Sequence, residues 1–134
     1  MKRRRKGKNG LPPFVPLTWD MLNGLAYKNL PASAAKGLPY FLGKVKRRYD
    51  DPERYSDVFH FPYSEGKRLG FALATFSKVI QDLVRFGFVD PVDKGGLRSD
   101  CKSYNLFRLS RRWEAYPTSH FEPLEWRCFI PKPR

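Results

Sequence analysis

The sequence predicts a mixed α+β chain of three to four helices with a small β-sheet, and three observations lead there. Phe76, Val79, Ile80, Leu83 and Val84 recur at spacings of three and four, the period of a helix with one buried face. Gly70 and Gly87 stand just outside that run, where turns call for left-handed dihedrals that glycine adopts cheaply. Short strand-like stretches flank it at 57–61, 88–92 and 103–109. A length of 134 residues fits one domain with one core.

Residues 1–16 read as a basic disordered arm and an extended lead-in, because Gly7, Asn9, Gly10 and the prolines at 12, 13 and 16 oppose a helix. Thr18 is a suitable N-cap and Asp20 suits a first turn, so a helix is expected from Trp19 to about Tyr27. A second is expected from Ala32 or Ser33. It would carry Leu38, Phe41, Leu42 and Val45 on one face and end in the Lys44, Lys46, Arg47, Arg48 run, with Pro39 as a kink or a late start. Residues 49–56 form a polar loop. Pro62–Leu69 is long enough for a two-turn helix with proline at its start, Gly70 turns the chain, and the strongest helix follows over 73–86. The two last strands are joined by a basic, glycine-containing loop over 93–102. Ser110 is a candidate cap for a short helix through Tyr116 that places Trp113 against the domain. Leu124, Trp126, Cys128 and Phe129 suit an extra strand or an exposed surface for a partner.

The charge narrows the class of partner. The chain carries 26 Lys and Arg against 13 Asp and Glu, a formal charge of +13. Six positives (Lys2, Arg3, Arg4, Arg5, Lys6, Lys8) lie in the first nine residues, and removing them leaves +7, so the folded part is basic as well. A basic body, unlike a basic tail alone, points to a surface for a polyanion. Residues 114–134 balance at three acids and three bases, so nothing marks them as an anion-binding element. No apolar run approaches the roughly 20 residues of a membrane span. The apolar stretch of a signal peptide is missing behind the basic start, so a cytoplasmic location is expected.

Leu69, Gly70, Phe71, Thr75, Phe76, Ile80, Leu83, Gly87, Phe88 and Val89 fall in an order that resembles the winged helix-turn-helix of bacterial, phage and plasmid transcription regulators and replication initiators. The resemblance covers 57–109, and extends to the helices of 17–48. It implies a winged-helix domain over 17–113, with the helix-turn-helix at 62–86, the wing at 88–109 and a C-terminal extension at 114–134. It further implies that helix 73–86 enters the major groove of double-stranded DNA. Leu73, Ala74, Ser77, Lys78 and Gln81 would then face the bases, Leu73 suiting a thymine methyl, Lys78 a guanine and Gln81 an adenine. Thr75, Lys67, Arg68 and Arg85 would contact the backbone. Lys94, Arg98 and Lys102 of the wing, together with the arm, would follow the backbone or a minor groove. Ala72 departs from the family, which usually places Ser or Thr there as the helix cap, a difference of about 1 kcal/mol. With only Lys78 and Arg85 against Asp82, the reading helix is lightly charged, and phosphate contacts carry more of the expected binding.

The function expected from this is non-enzymatic binding of duplex DNA, as a small transcription regulator of mobile-element type, with a homodimer through the first helix or the tail. Replication initiation, a partition accessory role, and a winged-helix module for protein or RNA remain as alternatives. Tyr104, Phe107, Tyr49 and Tyr55 are the candidates for stacking single-stranded bases, and hydrophobic packing explains their spacing equally well. Catalytic chemistry, cofactors and metals are not expected. No phosphate-binding loop or H-E-x-x-H motif occurs, and Cys101, Cys128, His60 and His120 lack the close pairing of a metal site. Asp50, Asp51 and Glu53 read as a solvated acidic loop.

Overall fold

The computed structural model describes residues 12–93 and 105–126. The chain is mixed α+β: five helices and a three-stranded antiparallel sheet among the described residues. Helices α1 (Trp19–Asn23) and α2 (Leu25–Lys28) are separate, where the sequence predicts one helix to Tyr27. Gly24 is the reason: it adopts an extended conformation and its N–H caps the Met21 carbonyl, and glycine gains less from helix than any residue except proline. Thr18 does cap α1, its Oγ1 accepting from the Met21 N–H at 3.2 Å.

Helix α3 (Ala32–Leu42) buries Ala34, Gly37, Leu38, Phe41 and Leu42. It stops at Gly43, so the basic run expected on its last turn lies beyond the helix. Pro39, within the last turn, has no N–H to extend the ladder, and Gly43 closes it by donating to the Pro39 carbonyl at 2.9 Å. A short 3-10 turn, Pro52–Tyr55, interrupts the expected polar loop. Strand β1 (Phe59–His60) leads into α4 (Tyr63–Arg68), the Gly70 turn (φ +102°) and α5 (Leu73–Arg85). Gly87 (φ +89°) then turns the chain into β2 (Val89–Asp93). Strand β3 (Leu106–Leu109) follows, and Arg112–Ala115 form a second 3-10 turn.

In sheet order β3 lies in the centre, pairing with β1 on one side and β2 on the other. Phe59 faces Phe107, and Val89 faces Leu109. Between Pro91 and Asp93 the register shifts, as befits a proline on an edge strand. Phenylalanines join the layers. The Phe41 ring of α3 lies 4.4 Å from Phe61, 5.6 Å from Phe107 and 6.1 Å from Phe76 of α5. Pairs of this kind contribute roughly 0.5–1.5 kcal/mol each beyond their buried area.

Two glycines set how closely the helices approach. A Cβ on Gly66 would sit 2.5 Å from the Phe76 ring, and one on Gly37 would sit 2.6 Å from Val79 Cγ1. Thus α4 and α3 both rest against α5 at glycine. The core also reaches past the sheet. Trp113 stacks on Phe88 at 6.0 Å, and Trp126 is buried with its ring 5.3 Å from Phe107. The expectation of Trp126 as an exposed anchor is therefore corrected: the open face of the Phe107 ring is apolar surface that it covers.

Candidate nucleic-acid interface

Helix α5 has one buried and one open face, and its sequence assigns them. Phe76, Val79, Ile80, Leu83 and Val84 are buried on the core side. Leu73, Ala74, Thr75 and Lys78 are exposed, with Leu73 at 53 % of its maximum area, while Ser77 and Gln81 are half-buried. The first turn of α5 thus presents small and apolar side chains to solvent. Ala72 offers no side-chain cap, so the initial N–H groups of α5 have no side-chain acceptor from that position.

The residues expected to read bases are engaged with one another along the helix. Lys78 Nζ is 3.2 Å from Asp82 Oδ1, and Gln81 donates weakly to Ser77 Oγ at 3.4 Å. Asp82, the one acid of the helix, is buried. Arg85 lies at the far end of α5, loosely facing Glu125 at 3.8 Å. Lys67 and Arg68 are exposed on the last turn of α4, just before the Gly70 turn. No carboxylate is within ion-pair distance of either among the described residues.

One cation joins this group that the sequence reading omits. Lys36 of α3 is exposed, with its Nζ 5.3 Å from the centre of the Phe71 ring, directly after the Gly70 turn. Tyr40, one turn further along α3, meets the same ring edge-on at 6.4 Å. The signal was present: Ala32, Lys36 and Tyr40 repeat every four residues opposite the apolar face of α3. What the sequence lacked was the placement of that face beside Phe71.

Other basic residues are tied to acids. Lys44 pairs with Glu65, Arg48 with Asp50 at 3.2 Å, and Arg47 with Asp57 at 2.6 Å and Asp51 at 3.4 Å. The hydrogen bond to Asp57, then the charge of Asp57, hold the Arg47 guanidinium above its ordinary range. Arg111 is raised likewise by its bidentate hydrogen bonds to Glu114, then by that carboxylate's charge. Within the 44–48 cluster, Arg47 and Arg48 meet acids of the following loop, and Lys44 meets α4.

Arg112 is a structural tie rather than an unpartnered surface cation. Its Nε donates to Asp90 at 2.6 Å. One terminal nitrogen donates to the Glu122 carbonyl at 2.7 Å, and the other to the Val84 carbonyl at 2.8 Å. Val84 belongs to the last turn of α5, where a cation also answers the helix dipole. Lys94, Arg98 and Lys102, and the arm residues Lys2, Arg3, Arg4, Arg5, Lys6 and Lys8, lie outside the described residues.

Among the described residues, no three His, Cys, Asp or Glu side chains converge as a metal site, and no helix is long and apolar enough to cross a membrane. Compared with known proteins, the chain matches no family model, no curated protein and no solved structure.

Proposed function

We propose that this chain is a winged helix-turn-helix protein that binds double-stranded DNA without catalysing a reaction. The chain order of α4, the Gly70 turn, α5 and two sheet strands supports it, as does a central β3 held between β1 and β2. The observation that carries the reading is the open first half of α5 beside three cations with no ion-pair partner among the described residues. Leu73, Ala74, Thr75 and Lys78 form a helix face fit for a groove, and Lys36, Lys67 and Arg68 surround the turn that leads into it. Cations beside a groove-sized helix provide phosphate contacts that set its position, and the helix face provides the readout.

The role proposed is a small cytoplasmic transcription regulator of mobile-element type. Replication or partition accessory function uses the same interface. A homodimer is part of the proposal, through the first helices: Trp19 (76 %) and Leu25 (52 %) are exposed there, whereas Trp126 of the tail is committed to the core. A winged-helix contact surface for protein or RNA is the alternative.

Fluorescence anisotropy tests it, on random duplex and random single strand across a salt series. On duplex, log affinity against log salt should fall with a slope of about 0.9 per neutralised phosphate. Duplex preference surviving deletion of residues 1–9 places binding in the folded body. Equal weak binding to both forms, or loss of all binding with the arm, overturns the reading.

A further inference from the structure

We propose that the cleft between the 12–16 lead-in, the end of α3 and the 52–55 turn is a binding site for a small amphipathic carboxylate, held by Arg54. This site is separate from α5 and does not rest on the DNA-binding reading. Arg54 is 6 % exposed, yet among the described residues it has no ion-pair partner. Its Nε is enclosed and has no hydrogen-bond acceptor among the described residues. Arginine keeps its charge at any ordinary pH, so burial cannot be relieved by losing a proton. A guanidinium taken out of water without a counterion is a costly arrangement, and charged groups almost never occupy fully buried positions unpaired. Tyr55, whose ring centre lies 5.7 Å from the guanidinium carbon, offsets part of this through its π-face.

Arg54 lines a smaller and a larger cavity. The smaller, about 60 Å³, lies towards Thr18, Tyr49 and Ser110. Water there would satisfy a donor and leave the charge unanswered. The larger, about 330 Å³, is at the lower end of the size range of small-molecule sites, roughly 300–1,000 Å³. Its lining combines apolar side chains, Phe14, Val15, Leu42 and Val45, with the cations Arg54, Lys46 and Arg47. The charges of Arg47 are already answered by Asp57 and Asp51, whereas Lys46 has no ion pair among the described residues. The anion is thus called for by Arg54 and Lys46, and the body by Phe14 and Val45.

That mixed lining defines the ligand chemistry. A planar carboxylate matches the guanidinium fork with two parallel hydrogen bonds. A compact aryl or short alkyl group would cover the exposed Phe14 and Val15. A duplex backbone does not fit, because an arginine that is 6 % exposed as a residue, with its Nε enclosed, cannot meet phosphates on a broad rigid cylinder. A free inorganic anion would leave the apolar lining unused.

The test is thermal unfolding of the full chain with titrated benzoate, hexanoate, inorganic phosphate, and the neutral isosteres benzyl alcohol and hexanol. Ligand that binds only the folded state raises the midpoint with its concentration. Saturable stabilisation by benzoate or hexanoate, with phosphate and the alcohols at least about tenfold weaker, is the expected result. Isothermal titration should then show Arg54→Met losing carboxylate binding and Phe14→Ala, at an exposed position that leaves the core intact, weakening it about tenfold. If Arg54→Met does not fold, Phe14→Ala alone carries the test. Absence of any shift, stabilisation by phosphate equal to that by benzoate, or unchanged affinity in Phe14→Ala would each overturn the proposal.

Discussion

Lys78 and Asp82 form an ion pair in which one member is open to solvent and the other is not. The lysine side chain is 56 % exposed and the aspartate 2 %, with 3.2 Å between Nζ and Oδ1, while Oδ2 of Asp82 has no hydrogen-bond partner among the described residues. The pair therefore acts in two places. It supplies a cation to the proposed reading face, and it neutralises a carboxylate inside the domain.

Removing the lysine should reveal that double duty. Lys78→Ala leaves Asp82 buried without its counterion, and should cost about 1–3 kcal/mol, less than a fully enclosed pair because the lysine is wet. Asp82→Leu together with Lys78→Met should recover most of that loss by exchanging the pair for packing. Urea unfolding of the three variants and the parent measures it. Equal stability of Lys78→Ala and the parent would show that Asp82 does not depend on Lys78.

Specificity and affinity should separate by position. On a duplex sequence selected from a random pool, Leu73→Ala, Ser77→Ala and Gln81→Ala should reduce discrimination by about 1–3 kcal/mol per disrupted base contact. Lys36→Ala, Lys67→Ala and Arg68→Ala should instead weaken all duplexes alike, each lowering the salt slope by about one. Ser77 and Gln81 are better probes of readout than Lys78, since their mutual hydrogen bond is long and no buried charge depends on it.

Gly66→Ala should be severe. Its Cβ would meet three atoms of the Phe76 ring at 2.5–2.6 Å, and that ring is fully buried between Phe41, Phe61 and Phe71. Overpacking of this kind typically costs about 1–3 kcal/mol. Thermal unfolding reads the loss, and Phe76→Leu in the same chain should return part of it. Destabilisation by Gly66→Ala that the second change leaves untouched would place the strain elsewhere.

Arg112→Met should loosen the C-terminal stretch before the rest. It removes the donors to Asp90, Val84 and Glu122 together, leaving a half-buried carboxylate and a helix-end carbonyl unanswered, at roughly 2–4 kcal/mol. Hydrogen exchange should show residues 113–126 losing protection first. By contrast, Arg111→Ala and Arg48→Ala remove exposed pairs and should change stability by less than about 1 kcal/mol.

Legibility in the sequence followed the range of the interaction. The α4–α5 pair and its turns could be read because period, Gly70 and Gly87 are local signals. The break at Gly24 was missed because a single glycine is compatible with a helix, and context decides. The partners of Lys44, Arg47, Arg112 and Trp126 were not legible for one reason: Glu65, Asp57, Val84 and Phe107 lie elsewhere in the chain. A charge count treats every lysine and arginine as available, whereas the fold leaves Lys36, Lys67 and Arg68 without ion-pair partners around one turn among the described residues.

The sheet order has a consequence for how the chain acquires its shape. Its central strand is the last of the three to be synthesised, and β1 and β2 pair with nothing else in the sheet. Helices α3, α4 and α5 can meet through contacts within residues 32–85, while joining residue 59 to residue 107 closes a long loop and comes at a larger entropic cost. A chain in which residues 106–109 have not docked leaves β1 and β2 without their sheet partner. Unpaired strand edges invite pairing with another chain. Docking of residues 106–109 is what covers the inner edges of both outer strands at once.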